Sequence, residues 1–274
     1  MMRFYLLASG SKGNAFVLED GTSHIMIDCG STWKYLKSSM AETGFDLNEL
    51  DALIITHTHS DHISQIRHFT DIPIYAPVHI EDADNYLVRP LRNFTIESLQ
   101  FTPIPLSHDA PETTGYIIDS GAEKLVYVTD TGYINEKYLP RMEGADYIVM
   151  ESNHDVDMLM RTHRPQYLKS RIYSDSGHLC NEQCAEVLDR IVTENTKMIL
   201  LAHISQEANT REKALEVSSD YLLRYHRGPL HKDLIIAAAG QFEIAGRGGK
   251  DEEVDPGTCS RALGVERMAY IPVD

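Results

Sequence analysis

"LIITHTHSDHI", residues 53–63, runs from an apolar segment into three histidines and an aspartate within one short loop. Leu53, Ile54 and Ile55 read as the end of an inner strand. His57, His59, Asp61 and His62 follow at once. Each buried imidazole or carboxylate costs free energy unless it is paired. A metal is the simplest shared partner for four such groups.

The same grammar recurs along the chain. "HIMID" ends at Asp28, "IPLSH" at His108, "LVYVTD" at Asp130, "YIVME" at Glu151 and "MILLAH" at His203. Strands buried on both faces read as continuous apolar runs, so polar groups gathered at their ends mark one rim of a sheet. Sites are commonly built from loops held by such a scaffold.

Short apolar strands alternate with helices, which places the chain in the α/β or layered α+β class. Strands are expected at 3–7, 14–19, 24–27, 52–55, 125–128, 147–150, 198–202 and 234–238. Helices are expected at 31–42, 61–70, 134–141, 181–194 and 210–225, with one more begun by Pro165. Residues 1–245 read as the catalytic domain. Residues 246–274 read as a loop and tail of the same domain, with "GRGGKDEEVDPGT" an exposed loop and the final "VERMAYIPVD" either a strand or a docked tail.

The 274 residues are 42% hydrophobic and 24% charged, as in ordinary soluble proteins. No apolar run is long enough to span a bilayer, and the N-terminal apolar stretch is too short for a secretory signal. Four cysteines without a CxxC pair fit free thiols in a cytoplasm. The formal charge of −16 argues against binding polyanions through a basic surface. It leaves a nucleic-acid substrate open, since divalent cations can supply the positive charge where phosphate sits.

His57 and His59 are two apart, so in extended chain both imidazoles leave the same face. With His108 they make one three-ligand site. Asp61, His62 and His203 make a second, and Asp130 bridges the two. Two ions sharing a bridging oxygen need such a set. Imidazole with carboxylate suits two divalent ions, Zn²⁺ or Mn²⁺, with Fe²⁺ also compatible.

Asp28, the HxHxDH run at 57–62, His108, Asp130 and His203 resemble, in order and spacing, the motifs of the metallo-β-lactamase superfamily over roughly residues 1–205. "SGSKGN" at 9–14, "DCG" at 28–30, "VTDTGY" at 128–133, "ESNHD" at 151–155 and "GHLCNE" at 177–182 are similar to the YycJ, WalJ or VicX nuclease subfamily. Cys180 stands where relatives usually carry serine. The resemblance implies an αββα sandwich of two mixed sheets with helices outside and metals at one edge. It implies a dinuclear phosphodiesterase, a 5′-to-3′ exonuclease on double-stranded DNA, with DNA favoured over RNA and a DNA-repair protein as a partner. Oligomeric state stays open.

For a phosphodiester, water between two ions would lose a proton and attack phosphorus in line. Asp61 is placed to hold a metal and take that proton. Asp28 either orients a ligand histidine or caps a turn before Gly30. His178 is the first candidate to protonate the leaving alkoxide, with Glu151 orienting it; capping of the following helix is its bland alternative. Substrate contacts are expected from Ser11 and Asn14 in the glycine-rich turn, from Asn153 and His154, and from Arg171. Arg171 ends a basic run with Arg161, Arg164 and Lys169 that could guide a phosphate backbone. Two other readings remain: a small-molecule hydrolase acting on a cyclic phosphodiester, lactone or thioester, and a metal-holding scaffold without activity. Chelator separates the last from the others.

Overall fold

A computed structural model describes residues 1–81 and 83–248, and the backbone alone of residues 259–263. Two sheets face each other. The first contains seven strands, ordered in space as Ala245–Arg247, Arg3–Ala8, Ala15–Asp20, Ser23–Ile27, Ala52–Ile54, Ile74–Ala76 and Tyr86–Leu87. The second contains eight, ordered Cys259–Leu263, Leu234–Ala238, Met198–Ala202, Tyr147–Glu151, Lys124–Val128, Thr114–Asp119, Leu99–Pro105 and Phe94–Ile96. Both sheets are mixed.

Three apolar clusters define the layers. Phe4, Phe16, Ile25 and Ile54 of the first sheet meet Phe101, Tyr127, Tyr147 and Leu200 of the second. Val17, Met26 and Leu53, on the other face of the first sheet, pack on Leu36 and Met40 of helix Trp33–Thr43. Val126, Ile148 and Ile199, on the other face of the second, pack on Leu188 of helix Asn181–Ile191 and Leu222 of helix Arg211–Tyr225. The result is the expected αββα sandwich. Its central strands are apolar on both faces because both faces are covered.

Parallel pairing builds the site. Lys124–Val128, Tyr147–Glu151 and Met198–Ala202 run parallel, so their C-terminal ends share one rim. Ser23–Ile27 and Ala52–Ile54 are likewise parallel in the facing sheet. Asp28, His57, Asp130, Glu151 and His203 therefore converge without any long-range coincidence in sequence.

Several expectations need correction. The helix expected at 61–70 is a single turn, Ser60–Ile63, followed by a 3₁₀ turn at Ile66–His68. The carbonyls of Asp61 and His62 accept from the backbone amides of Asn14 (2.8 Å) and Cys29 (2.7 Å), so they are unavailable to extend a helix. The helix expected at 134–141 splits into a 3₁₀ turn, Glu136–Tyr138, and a short helix, Leu139–Met142, with Pro140 in its first turn. Strands Leu99–Pro105 and Thr114–Asp119 were not among the expected strands, although "IPLSH" reads as an apolar run ending at His108, and the first of them contains Pro103 and Pro105. They are tolerated where Leu99–Pro105 runs beyond the residues paired with Phe94–Ile96. Helix Val156–Arg161 was also missed.

Strand Ala245–Arg247 pairs with Arg3–Ala8 across the boundary drawn after residue 245, and strand Cys259–Leu263 pairs with Leu234–Ala238. The rest of the expected loop, 249–258, and the final "VERMAYIPVD" lie outside the described residues. Among those described, no helix is long and apolar enough to cross a membrane.

Candidate metal centre

The HxHxDH loop is clamped before its side chains do anything. Gly30 N–H donates to the Asn14 carbonyl (2.9 Å) and Asn14 N–H to the Asp61 carbonyl. The "SGSKGN" and "DCG" turns thus serve as braces for residues 57–62. Asp28, Asp130 and His203 all adopt left-handed backbone, with φ of 59°, 57° and 54°. Such conformations cost about 1–3 kcal/mol each and persist only where the surroundings enforce them. Here they bend three strand ends abruptly into the same rim.

Three sets of donor atoms lie within 4.8 Å of one another: His57, His59 and His108; His57, His62 and Asp130; Asp130, Glu151, His178 and His203. The first is the expected three-histidine group. The expected second group is assembled differently. His62, His203 and Asp130 approach, while Asp61 stands at the rim with Oδ2 3.8 Å from His62 Nε2 and 3.3 Å from Asn14 Nδ2.

Asp130 occupies the middle. Its Oδ2 lies 3.3 Å from His62 Nε2; its Oδ1 lies 3.5 Å from His203 Nε2 and 4.0 Å from His108 Nε2. His57 Nε2, His203 Nε2 and Asp130 Oδ2 are buried without a hydrogen-bond partner. Leaving such groups bare is expensive, and a cation among them would satisfy all three.

The other ring nitrogens are held. His62 Nδ1 donates to Asp28 Oδ2 (2.8 Å), which leaves Nε2 facing Asp130. Asp28 also accepts from Thr56 N–H and Thr56 Oγ1, both at 2.8 Å. Asp28 therefore orients His62 and is fully buried behind it. Glu151 does the same for two histidines at once. Its Oε1 accepts from His178 Nδ1 (2.8 Å) and His203 Nδ1 (2.7 Å), and its Oε2 from Thr131 N–H (2.8 Å). His108 Nδ1 donates to the Gly177 carbonyl (3.1 Å). Fixing one ring nitrogen sets the tautomer and aims the other at the metal.

The substrate candidates separate. Ser11 and Asn153 line a small cleft beside His178 and His203. Asn14 is buried, its Oδ1 accepting from Gly10 N–H (2.8 Å) and its Nδ2 2.9 Å from His62 Nε2, so it braces the centre. His154 is fully buried with neither ring nitrogen partnered, so it does not face a ligand in solution. Its ring lies 6.2 Å from that of Tyr173, and it is not among the residues that line the cleft beside Asn153. Arg171 Nε pairs with Asp109, which stands 3.7 Å from His59 and 3.5 Å from His108. The basic run is not one patch: Lys169 is buried, donating Nζ to the Met160 carbonyl (2.6 Å).

Thr56, Asp109 and Ser9 were missed by the sequence reading. Thr56 touches Asp28 and lies 3.1 Å from His57 Nδ1, and Ser9 Oγ accepts from His203 N–H (2.7 Å). Thr56 and Asp109 each adjoin a candidate histidine in sequence, which is the only signal they carried.

Charges are sharply divided. Burial opposes ionisation of Asp130, but His203, His62 and His57 outweigh it and hold the carboxyl well below its usual range. Burial is likewise outweighed at Glu151 by His178 and His203, which hold it at about 2. Burial would lower His203 too, yet Asp130 and Glu151 raise it to about 9. His62 rises well above normal by the same balance with Asp28 and Asp130. His57 falls to about 2 and His154 to about 4, each mainly through burial.

These shifts set the pH response of the metal-free protein. His57 and His154 stay neutral in the fold but protonate when unfolded below the ordinary value of 6.5, so stability falls as pH drops from there. His62 and His203 hold protons that the unfolded chain releases, so stability falls as pH rises from 6.5 through about 9. Thermal unfolding in chelator is expected to peak near pH 6.5 and decline on both sides. A midpoint that rises steadily from pH 6.5 to 9 would contradict this arrangement.

A family model for the beta-lactamase superfamily domain matches residues 23–204. The chain is similar to exodeoxyribonuclease YycJ of Bacillus anthracis, at 33% identity over 227 residues, covering 78% of this chain and 86% of the relative. It is similar to exodeoxyribonuclease WalJ of Streptococcus pneumoniae at 32% over 228 residues, covering 77% and 85%. Among solved structures, the metallo-beta-lactamase fold protein YhfI from Bacillus subtilis superposes with a TM-score of 0.66 at 17% identity, covering 89% of this chain and 98% of that one. That last likeness is one of fold.

Proposed function

We propose that this chain, which belongs to the beta-lactamase superfamily, is a metal-dependent hydrolase of nucleic acid: an exodeoxyribonuclease that degrades double-stranded DNA from the 5′ end with two divalent ions. The observation that carries this reading is Asp130, which stands between the two histidine groups, 3.3 Å and 3.5 Å from His62 and His203 on one side and 4.0 Å from His108 on the other. A single carboxylate between two clusters is the donor geometry two neighbouring ions require. The buried, unpartnered nitrogens of His57 and His203 fit the same demand. The names of the relatives from B. anthracis and S. pneumoniae support DNA as substrate.

His57, His59 and His108 would hold one ion; His62 and His203, with Asp61 at the rim, would hold the other; Asp130 would join them. The ions supply a lowered pKa for water and charge neutralisation on phosphate oxygens. Asp61, the least enclosed carboxylate of the set, is placed to accept a proton. His178 is anchored through Nδ1 to Glu151, and its Nε2 makes no hydrogen bond to the described residues. As the imidazolium, with Nδ1–H kept by Glu151, the ring would give its Nε2 proton to a leaving oxygen and remain neutral afterwards. Asp28 and Glu151 act as positioning residues, through His62 and through His178 and His203 respectively.

Glu151→Gln retains the shape but removes the charge that both imidazoles share. Metal affinity or turnover is expected to fall about 10–100-fold, the usual cost of losing a ligand's supporting carboxylate. Metal titration together with a pH–rate profile would read both, and an unchanged profile would remove Glu151 from the mechanism.

The direct test of function follows a 5′-labelled duplex with purified protein and Mn²⁺, beside a chelated control and His57→Ala. Release of labelled mononucleotide, lost in both controls, is the expected result. Cleavage of a small phosphodiester with the duplex left intact would move the small-molecule reading to first place.

A further inference from the structure

The segment "YLVRPLRN", residues 86–93, is used by none of the chemistry above. It joins the edge strand of the first sheet, Tyr86–Leu87, to the edge strand of the second, Phe94–Ile96. Val88 N–H donates to the Ala76 carbonyl (2.8 Å) and Leu91 N–H to the Pro103 carbonyl (2.9 Å), so the segment is fastened to both sheets. Between those bonds, Arg92 N–H donates to the Arg89 carbonyl (3.1 Å), closing a β-turn with Pro90 and Leu91 at its centre. Leu91 has a φ of 59°. Proline followed by a residue at positive φ is the type II pattern, whose third position ordinarily takes glycine or asparagine. A leucine there is strained, and burial does not offset the strain because Leu91 is 38% exposed. Arg89 and Arg92 flank it, both exposed. Among the described residues neither guanidinium has an ion pair or hydrogen bond; Glu81, Asp84 and Glu97 pair with neither.

Strand order sets where this turn lies. Tyr86 pairs with Tyr75 and Tyr75 with Ile54, all in parallel. Arg89 therefore stands as far past that row as His57 does. Neighbouring strands are about 4.8 Å apart, so the turn leaves the metal-bearing rim about 10 Å to the side of the strand that ends in His57. Its other anchor, Pro103, belongs to the strand that runs on to His108.

We infer that this turn opens the end of the duplex: Leu91 wedges against the terminal base pairs while Arg89 and Arg92 hold backbone phosphates on either side. The inference rests on the nuclease reading and deepens it. An enzyme that degrades one strand of a duplex has to draw that strand from its complement before the metals can reach it. Apolar wedges unstack base steps, and arginines beside them neutralise the adjacent phosphates. The offset of about 10 Å corresponds to about three nucleotides of one strand. The strained, exposed leucine and the two unpaired cations thus receive one explanation.

The test compares digestion in Mn²⁺ of a 5′-labelled blunt duplex and of the same duplex with its terminal base pairs replaced by mismatches. The proteins are wild type, Leu91→Gly, Arg89→Ala combined with Arg92→Ala, and Arg224→Ala, an exposed helix arginine elsewhere. Glycine adopts this turn without strain, so Leu91→Gly should keep the wild-type unfolding midpoint. It should slow the blunt duplex about tenfold or more and the mismatched one less than about twofold. The double arginine variant should reduce the salt dependence of kcat/KM on the blunt duplex by about two in log–log slope. Arg224→Ala should match wild type on both substrates.

A blunt-to-mismatched ratio that Leu91→Gly leaves unchanged overturns the wedge while the nuclease reading stands. A salt slope unmoved by the arginine pair overturns their phosphate contacts. Both duplexes left intact by wild type would overturn the nuclease reading and this occupant together. An unchanged ratio with a smaller assembly of Leu91→Gly in sedimentation would make the turn a contact between copies of the chain instead.

Discussion

Asp130→Ala is expected to lower metal-dependent phosphodiester turnover by at least about 10³-fold and to reduce bound metal together with it. Asp130 is the residue whose oxygens face His62, His203 and His108 from one position. Removing it separates the two donor groups and leaves His62 with Asp28 alone, and His203 with Glu151 alone, to balance a buried charge. Metal ions contribute several kcal/mol to stabilising a phosphoryl transition state, and about 4 kcal/mol corresponds to three decades in rate. Metal content by elemental analysis and turnover of a small phosphodiester would be measured on the same preparation. Retention of two ions with full turnover would show that the bridging role is misassigned. The small substrate keeps this test independent of DNA binding.

Gly30→Ala is expected to produce the largest loss of stability of any conservative substitution at the rim. A Cβ on Gly30 would stand 1.7 Å from the Asp61 carbonyl oxygen and 2.6 Å from the Asn14 backbone nitrogen. Both obstacles are main chain, so no side-chain rotation relieves the contact. The loops must part, and the bonds from Asn14 N–H to the Asp61 carbonyl and from Gly30 N–H to the Asn14 carbonyl must lengthen or break. Overpacking of this kind costs about 3 kcal/mol or more. Because those bonds brace His57 through His62, metal affinity should fall along with the unfolding midpoint. Thermal unfolding with and without Mn²⁺ would show both losses. A variant with wild-type midpoints would mean that the loop tolerates displacement, and the brace described here would be wrong. Gly177 is packed in the same manner, 2.2 Å from the Ile172 carbonyl for an added Cβ. Its carbonyl is the group that fixes His108 Nδ1.

Much of this architecture was legible in the chain. Apolar runs such as 147–150 and 198–202 have no polar residue to spare because helices cover one face of their sheet and a second sheet the other. Their polar termini then had to lie at the edge. The elements that escaped were those governed by neighbours. Leu99–Pro105 contains two prolines that a central strand could not hold, and it stands because one side of its later half lacks a strand partner. The 61–70 segment has helical character, but its first carbonyls are captured by Asn14 and Cys29 from other loops.

The donor set was similarly divided. His57, His59 and His108 form a group as their spacing and strand-end placement indicated. The orientation of each ring depended on partners distant in sequence: Asp28 for His62, Gly177 for His108, and Glu151 for both His178 and His203. No local pattern predicts that one buried carboxylate serves two imidazoles. His154, a candidate substrate contact by its motif, is fully buried in the fold, which the motif alone did not indicate.

The sequence by itself determined which residues would reach the rim, because strand polarity and apolar length are properties of each segment alone. Only the tertiary structure decided which ring nitrogen faces the centre and which lysine turns inward. Those depend on hydrogen bonds and close approaches between segments that share no local periodicity, and they exist only once the two sheets have closed on each other.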